Sequence, residues 1–273
     1  MAEVKMNVKL MAHTKLSEEF YESFDKFDEF LNYDGNTLDA TGATDGQAIA
    51  LTAIRTCYSP NKPTEIVAKE GEKYFGRTAT DGNGGSEADR LFRHIVGSGH
   101  TSTLEHISFT FAIEGVSRAL LAQLTRHRVG FSFSVQSQRY VRLGSGDRSG
   151  GMDYVVPDRV TPDKTADMYD FVYGTPMSNR PSTDIFEEAM RMSQQAYDKL
   201  REAGVSAEDA RAVLPNATAT NLVMTANLTA LLGFYRKRKP GNGAQKEITD
   251  LAVALKDAVI AVEPWTEAYF NAA

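Results

Sequence analysis

The chain has 273 residues, of which 42% are hydrophobic, and it carries 36 Asp and Glu against 30 Lys and Arg. This length can bury a substantial core, and the acidic balance argues against a general nucleic-acid or membrane-surface binder, which would need a broad basic face. The single cysteine, Cys57, excludes an internal disulfide and is typical of a reducing cytosol, so we expect a cytoplasmic protein.

The first half of the chain alternates between helical and strand patterns. Apolar residues at helical spacing predict helices over 46–57, 86–98 and 116–127. Strict alternation, as in ISFTFAI and FSFSV, predicts strands over 107–113 and 131–135. We expect Cys57, at the end of an apolar helix, to be buried in packing rather than to act as a nucleophile.

The second half begins with a segment, 144–182, that is rich in Gly, Pro, Asp and Ser and predicts a long irregular loop or insertion. The patterns that follow predict helices over 183–203, 206–215, 218–236 and 244–262. The longest uncharged run, 212–235, contains Pro215 and several Asn and Thr residues, so we predict no membrane span. We find no domain linker. The fold class is therefore predicted to be α+β: a single mixed domain over 1–273, with a short antiparallel sheet flanked by helices and a helical C-terminal half.

Two long segments contain no carboxylate, although acids are frequent elsewhere. The first, 115–146, holds five arginines: Arg118, Arg126, Arg128, Arg139 and Arg142. The second, 210–246, holds Arg211, Arg236, Lys237, Arg238, Lys239 and Lys246. A guanidinium fork binds phosphate or carboxylate well, and neighbouring acids would compete for it, so the two segments predict halves of one anion site. The alternative is that the Arg-His-Arg after a helix only complements the helix dipole.

Neutral and aromatic side chains accompany these arginines. Gln and Ser side chains can orient a ligand, and Phe131, Phe133 and Tyr140 offer planar surface for a ring. The combination indicates an aromatic, phosphorylated small molecule such as a nucleotide. His94, His100 and His106 recur every six residues, which does not place them on one helical face, so we predict no metal site.

Several motifs together resemble the flavin-dependent thymidylate synthases, from about residue 50 to the end of the chain. Arg126-His127-Arg128 followed by Ser137-Gln138-Arg139-Tyr140 is similar to the R-H-R and S-x-R-Y signature of that family. The segment from Gly99 to Phe111 resembles its G-H-x-[ST]-x-x-E-H and F-T-F motifs, and the segment from Glu208 to Pro215 resembles its E-x-A-R-x-x-L-P motif. AIRTCYS at 53–59 is similar to the first helix of the family, whereas residues 1–45 match it weakly.

The resemblance implies an enzyme, a methyltransferase that reductively methylates dUMP to dTMP with FAD as cofactor and with methylenetetrahydrofolate and NADPH as co-substrates. It implies that dUMP is bound by Gln123, Arg126, Ser137, Gln138, Arg139, Arg211 and Arg238, of which Arg238 would be the catalytic residue, favouring ionisation of the pyrimidine N3–H. It implies that FAD is contacted by His100, Ser102, Arg126, His127, Arg128 and Asn227. A homotetramer with sites shared between subunits is also expected, with no nucleic-acid partner.

The chain departs from the family pattern at positions that bear on the substrate. Eight residues separate Arg128 from Ser137 where seven are expected, Val135 stands where Glu or Gln is usual, and Thr229 stands where Arg is expected. A related pyrimidine-nucleotide modification on the same scaffold, such as hydroxymethylation, is therefore the nearest alternative. A non-catalytic nucleotide or nucleic-acid binder is the second, and the net charge of −6 speaks against it.

Overall fold

The computed structural model describes residues 1–22, 37–38, 42–170 and 173–272. Its strands are β1 (Asn7–His13), β2 (Thr37–Leu38), β3 (Ala43–Thr44), β4 (Ser108–Ser117), β5 (Phe131–Val135), β6 (Thr165–Tyr169), β7 (Pro176–Pro181) and β8 (Ala219–Asn227). Its helices are α1 (Glu18–Glu22), α2 (Asp45–Thr56), α3 (Ile66–Phe75), α4 (Glu87–Gly97), α5 (Arg118–Leu124), α6 (Ser182–Glu202), α7 (Ala207–Ala210), α8 (Leu228–Arg238), α9 (Lys246–Val262) and α10 (Glu267–Ala272).

A four-stranded antiparallel sheet in the order β1-β4-β8-β5 forms the centre of the fold. On β4, Phe109, Phe111 and Ile113 are fully buried while the residues between them are more exposed, as expected when alternate side chains point to opposite faces. The predicted strands over 107–113 and 131–135 are thereby confirmed, and so is the α+β class with helices around a short antiparallel sheet.

The helix predicted over 218–236 is wrong for its first part. Residues 219–227 form β8, which lies between β4 and β5, and only Leu228–Arg238 is helical. Thr220, Leu222, Met224 and Ala226 are buried while the intervening residues are more exposed, so the segment has the period of a strand. Apolar residues in this run satisfy both periods locally, and pairing with two neighbouring strands favours the extended form.

The helix predicted over 116–127 is shorter than expected, because its first two residues complete β4. Ser117 caps α5 by accepting the Leu120 N–H at 3.0 Å, and its own N–H and hydroxyl donate to Glu247 at 2.7 and 2.6 Å. Since α5 ends at Leu124, Arg126-His127-Arg128 lies in the turn beyond the helix rather than in its last turn.

The other predicted helices are confirmed as α2, α4, α6 and α9, with small differences in their ends, whereas the helix predicted over 206–215 is only the four-residue α7 followed by a 3-10 turn over Arg211–Val213. The segment 144–182, predicted to be a long irregular loop or insertion, contains the short hairpin of β6 and β7 toward its end. The expectation for Cys57 is wrong: this residue is exposed at the C-terminal end of α2. The helical pattern of 66–75 and the edge strand β1 were not predicted.

The helices α8 and α9 contribute buried side chains to the same core as the sheet. Phe234 on α8 and Leu251, Leu255 and Val259 on α9 are buried with the β4 phenylalanines. Packing into this core fixes the position of α5, which ends just before Arg126 and Arg128, and of α8, which ends at Arg238. Across the described ranges, no helix is both long and apolar enough to cross a membrane.

Candidate active site

The two carboxylate-free segments meet at both ends of α5. We call the group at its N-terminal end the Arg211 cluster (Arg118, Arg139, Glu208 and Arg211), and the group beyond its C-terminal end the Arg238 cluster (Arg126, His127, Lys237 and Arg238). Each cluster combines residues of the first segment with residues of, or next to, the second. Residues of the two segments are therefore neighbours in the folded chain, but they form two clusters at opposite ends of α5, whereas the charge pattern predicted two halves of one site.

In the Arg211 cluster, three guanidinium groups converge on the short helix α7 and the turn that follows it. Burial, and secondarily the positive charge of Arg211, lower the pKa of Arg118. Arg211 Nε donates to the backbone carbonyl of Glu208 at 3.0 Å, and Arg139 Nε lies 2.7 Å from Glu208 Oε1. The like charges of Arg118 and Arg211 are thus held together, which suits an anionic ligand between them.

Glu208 is the one acidic side chain of this cluster and lies just outside the second carboxylate-free segment. Its carboxylate and the Arg139 guanidinium are each about half exposed, at 49%. An ion pair this exposed is weak, about 0–1 kcal/mol, so it can be exchanged for a ligand phosphate. The sequence pattern had indicated that no acid would compete for these arginines, and the structure corrects this for Arg139.

In the Arg238 cluster, positive charges surround a half-buried histidine. Burial, followed by the charges of Arg238, Lys237 and Arg126, lowers the pKa of His127. The imidazole packs edge-to-face on Phe234, with ring centres 4.9 Å apart. The lowered pKa favours the neutral imidazole, in which one nitrogen donates and the other accepts a hydrogen bond.

The Nε–H of Arg238 is buried and has no hydrogen-bond partner within the described part of the chain. Gln138 Nε2 is in the same situation. Buried donors are nearly always satisfied, and an exception in a cluster of cations indicates a place where a ligand supplies the acceptor. Both residues were predicted to bind dUMP.

A third group of predicted residues is tied together at the start of α8. Asn227 N–H donates to the Gly130 carbonyl at 3.1 Å, and Asn227 Oδ1 caps the helix by accepting the Ala230 N–H at 2.8 Å. Thr229 Oγ1 donates to the Thr101 carbonyl at 2.7 Å, which holds the turn between His100 and Ser102 against α8. Thr229, the departure from the expected Arg, therefore has a positioning contact of its own.

Gly130 allows this close approach. Its φ is +74°, and a Cβ there would lie 2.7 Å from Ala230 Cβ and 2.8 Å from Asn227 Nδ2. Only glycine combines this backbone conformation with such contact. The turn at Gly130, within the spacer between Arg128 and Ser137, thus packs closely on Asn227.

The remaining predicted residues occupy separate positions around these groups. Gln123 Nε2 donates to Gln245 Oε1 at 2.7 Å, and the Ser137 hydroxyl accepts the Arg139 N–H at 3.2 Å. Arg128 and Ser102 are exposed, and His100 Nδ1 lies 3.4 Å from the Tyr58 hydroxyl. Arg118, Tyr58 and Gln245 were not among the predicted site residues. Arg118 could have been found, since it is one of the five arginines of the first segment.

The chemistry of the donors fits phosphorylated ligands. The described side chains around Arg126, Arg128 and Arg238 form no ion pair with these arginines, so their donors are available to a phosphate or a pyrimidine carbonyl. In the described ranges, no group of three His, Cys, Asp or Glu side chains could hold a metal ion.

Comparison with known proteins assigns this arrangement to a family. The model of the thymidylate synthase complementing protein family matches residues 38–265. The chain is 33% identical over 234 residues to a flavin-dependent thymidylate synthase of Clostridium tetani, covering 80% of this chain and 79% of the relative. It is 36% identical over 220 residues to that of Geobacter sulfurreducens, covering 81% and 80%.

Among solved structures, the fold is similar to that of PolB from Streptomyces cacaoi, a UMP/dUMP methylase bound with 5-Br dUMP. The TM-score is 0.63 at 20% identity, and the likeness covers 99% of this chain and 97% of the other. This likeness supports the fold, and the sequence matches over most of the chain identify the family. The chain belongs to the flavin-dependent thymidylate synthase family.

Proposed function

We propose that the protein reductively methylates dUMP to dTMP, with methylenetetrahydrofolate as carbon donor, NADPH as reductant and FAD as cofactor. The observation that carries the proposal is the Arg238 cluster: a buried, partnerless Arg238 Nε beside His127, whose pKa is lowered by burial and by the surrounding positive charges, in a chain of this family. The flavin supplies hydride chemistry when it is bound, so the protein has to bind, orient and polarise the substrate.

Phosphate binding is assigned to the Arg211 cluster. Arg211 and Arg139 were predicted for this role, and Arg118 joins them because its guanidinium shares their position without a described acidic partner. Gln123, Ser137 and Gln138 are proposed to contact the rest of dUMP with neutral donors and acceptors. Arg126 is proposed to lie between the nucleotide and the flavin.

Activation of the pyrimidine is assigned to Arg238. A guanidinium next to the ring stabilises negative charge on the pyrimidine, which favours loss of the N3 proton and makes C5 more nucleophilic. No cysteine nucleophile is needed in this scheme. Cys57 Sγ contacts the Ala53 carbonyl at 3.7 Å in its own helix, as an ordinary helical cysteine does.

FAD binding is proposed for His100, Ser102, Arg126, His127, Arg128 and Asn227. Cationic and hydroxyl donors suit the diphosphate of FAD, and the ring of His127 suits its planar parts. Thr229 lacks the charge of the expected Arg and acts here through the Thr101 carbonyl, so we assign it a positioning role.

We also propose a cytoplasmic homotetramer with shared sites. The predicted dUMP residues fall into clusters at opposite ends of α5, a helix of seven residues and hence about 10 Å long. A site assembled from the Arg238 cluster of one subunit and the Arg211 cluster of another would unite them. A shared site also explains why, within one subunit, each cluster contains arginines that no described carboxylate pairs with.

A second candidate function is modification of a different pyrimidine nucleotide, or transfer of a hydroxymethyl group. Val135 pairs with Leu222 in the sheet, and the adjacent Gln136 is held by Asn221, whose Nδ2 lies 3.4 Å from Gln136 Oε1. Position 135 thus carries an apolar side chain in β5 where Glu or Gln is usual in the family, and this departure motivates the second candidate.

The test is the visible absorption spectrum of the purified protein before and after anaerobic NADPH, followed by product analysis. We expect a bound-flavin band that NADPH bleaches, faster with dUMP present, and dTMP as product when methylenetetrahydrofolate is added. A hydroxymethylated product, or turnover of UMP in preference to dUMP, would favour the second candidate. Absence of flavin after incubation with FAD would contradict both.

Replacing Arg128 with Ala is expected to weaken FAD retention about tenfold, because an exposed charge-assisted contact to phosphate contributes roughly 1–1.5 kcal/mol. The measurement is the flavin absorbance per protein after gel filtration, together with the dissociation constant for FAD. Arg77→Ala is the matched control, since Arg77 is an exposed arginine outside the proposed site. Equal FAD retention by both variants would show that Arg128 does not contact the flavin.

A further inference from the structure

An open cavity of about 530 Å³ lies beside the predicted nucleotide segment and is not explained by the dUMP or FAD assignments. It is lined by Gln136, Tyr140, Val141, Arg142, Asp147, Arg148 and Ser149. None of the residues proposed for dUMP lines it, although Ser137, Gln138 and Arg139 lie between two of its walls in sequence. The cavity therefore adjoins the nucleotide site and is a separate space.

The charge in this cavity is positive and available. Arg142 and Arg148 are exposed, and neither forms an ion pair with a described carboxylate. The nearby Asp147 is engaged by its own loop, because its Oδ2 accepts the Gly144 N–H at 2.9 Å. Two guanidinium groups without an acidic partner favour an anionic ligand.

The loop that carries Arg148 is firmly attached to α6. Tyr197, whose ring is buried, accepts the Leu143 N–H at its hydroxyl at 3.2 Å. Asp198 accepts the N–H and the hydroxyl of Ser145 at 3.0 and 2.7 Å. Ser149 Oγ donates to the Arg142 carbonyl at 2.9 Å, which joins the part of the loop next to Arg148 to the part that carries Arg142. Exposed arginines on so fixed a frame bind an anion with little loss of backbone freedom.

An aromatic ring completes the cavity. Tyr140 is 79% exposed, and one face is covered by the Arg139 guanidinium, 5.6 Å from the ring centre. The ring gives a planar contact between the proposed phosphate cluster and the two cavity arginines. A ligand that lies here would have a planar or chain portion toward Tyr140 and its negative charges toward Arg142 and Arg148.

We propose that this cavity binds the anionic portion of a co-substrate that reaches the nucleotide site, and that Arg142 and Arg148 are its ligands. The inference rests on the proposed function. Two co-substrates carry such a portion: the folate, through its glutamate carboxylates, and NADPH, through its phosphates. Both present several negative charges on a flexible tail, which matches two guanidinium groups on a fixed loop.

The test uses the full-length protein with Arg142→Gln, Arg148→Gln and the double variant. Arg159→Gln is the matched control, because Arg159 is an exposed arginine of the same 144–182 segment and does not line the cavity. Equilibrium dialysis measures binding of oxidised pentaglutamyl and monoglutamyl folate and of NADP⁺ and NAD⁺, and the KM values of the reduced co-substrates are measured in parallel.

We expect the double variant to weaken one ligand about three- to tenfold with kcat nearly unchanged, and to flatten the salt dependence of its binding. A selective loss for the pentaglutamyl form identifies the folate tail, and a selective loss for the 2′-phosphorylated dinucleotide identifies NADPH. Unchanged affinity for both relative to Arg159→Gln would overturn the proposal. A change in sedimentation with unchanged affinities would also overturn it, because the arginines would then face another copy of the chain.

The dialysis keeps this proposal distinct from the proposed function. A wild-type protein that forms no dTMP and still binds one of these ligands in an Arg148-dependent way would contradict the function and support the cavity. A protein that forms dTMP with variants indistinguishable from the control would support the function and contradict the cavity. Circular dichroism and thermal melting of each variant verify that it is folded.

Discussion

Replacing Arg238 with Ala is expected to lower kcat/KM for dTMP formation by on the order of 10³-fold, about 4 kcal/mol of transition-state stabilisation, while FAD stays bound. The reason is the position of this guanidinium: it is in a cluster without acids, and its buried Nε–H awaits an acceptor. Steady-state turnover and the visible spectrum of the same sample give the two readouts.

A control on the same helix separates charge from position. Arg236→Ala removes an exposed guanidinium of α8 two residues away and is expected to leave turnover within about twofold of wild type. Arg238→Lys keeps the charge and loses the planar fork, so we expect intermediate activity. Near-normal turnover of Arg238→Ala would show that another group activates the pyrimidine.

The Arg238→Ala variant has a second readout that does not depend on catalysis, namely the pKa of His127. Arg238 is one of the positive charges that lower the pKa of His127, after burial itself. Removing this charge makes protonation of the imidazole less unfavourable, so the pKa of His127 is expected to rise toward its ordinary value. An NMR titration of the histidine ring protons, with His127→Gln to assign the signal among the five histidines, measures the change.

Replacing Arg211 with Ala is expected to raise the KM for dUMP about 30- to 100-fold, because a charge-assisted contact to the phosphate contributes roughly 2–3 kcal/mol. Binding of deoxyuridine, which lacks the phosphate, should change little. Dissociation constants of dUMP and deoxyuridine for wild type and variant measure this discrimination. Equal weakening of both ligands would place Arg211 on the base or the ribose, or indicate a folding defect.

Breaking the Arg139–Glu208 ion pair is expected to change the affinity for dUMP in the opposite direction. Glu208→Gln removes the carboxylate that holds Arg139 and preserves the backbone carbonyl that accepts from Arg211. Since the pair is half exposed, we expect dUMP affinity to improve only about twofold. Together with Arg211→Ala, this variant tests whether the whole cluster serves the phosphate.

Hydrophobic periodicity predicted the secondary structure correctly where either the helical or the strand period is dominant. The alternation of Phe109 and Phe111 with small residues can only bury both rings as a strand, and β4 is found there. The segment 219–227 was misassigned because its apolar residues are compatible with two periods, and its place between β4 and β5 depends on residues about a hundred positions earlier. No local pattern contains that information.

The amino-acid order alone established which chemical groups the protein can use: its paired carboxylate-free segments, its R-H-R and S-x-R-Y motifs, and hence its family. These features are contiguous stretches of sequence, so the chemistry of their side chains can be inferred without knowledge of the fold. Which groups meet was decided by strand pairing and helix packing. Arg118 interacts electrostatically with Arg211, ninety-three positions later in the chain, and its N–H bonds to the Thr218 carbonyl at 3.0 Å where β4 passes into α5. The cavity lined by Arg142 and Arg148 likewise depends on Tyr197 and Asp198 of α6, which fix a loop some fifty residues earlier in the chain. Contacts between residues so far apart follow from the packed core, since the local sequence specifies a residue's own conformation and face but not its partner.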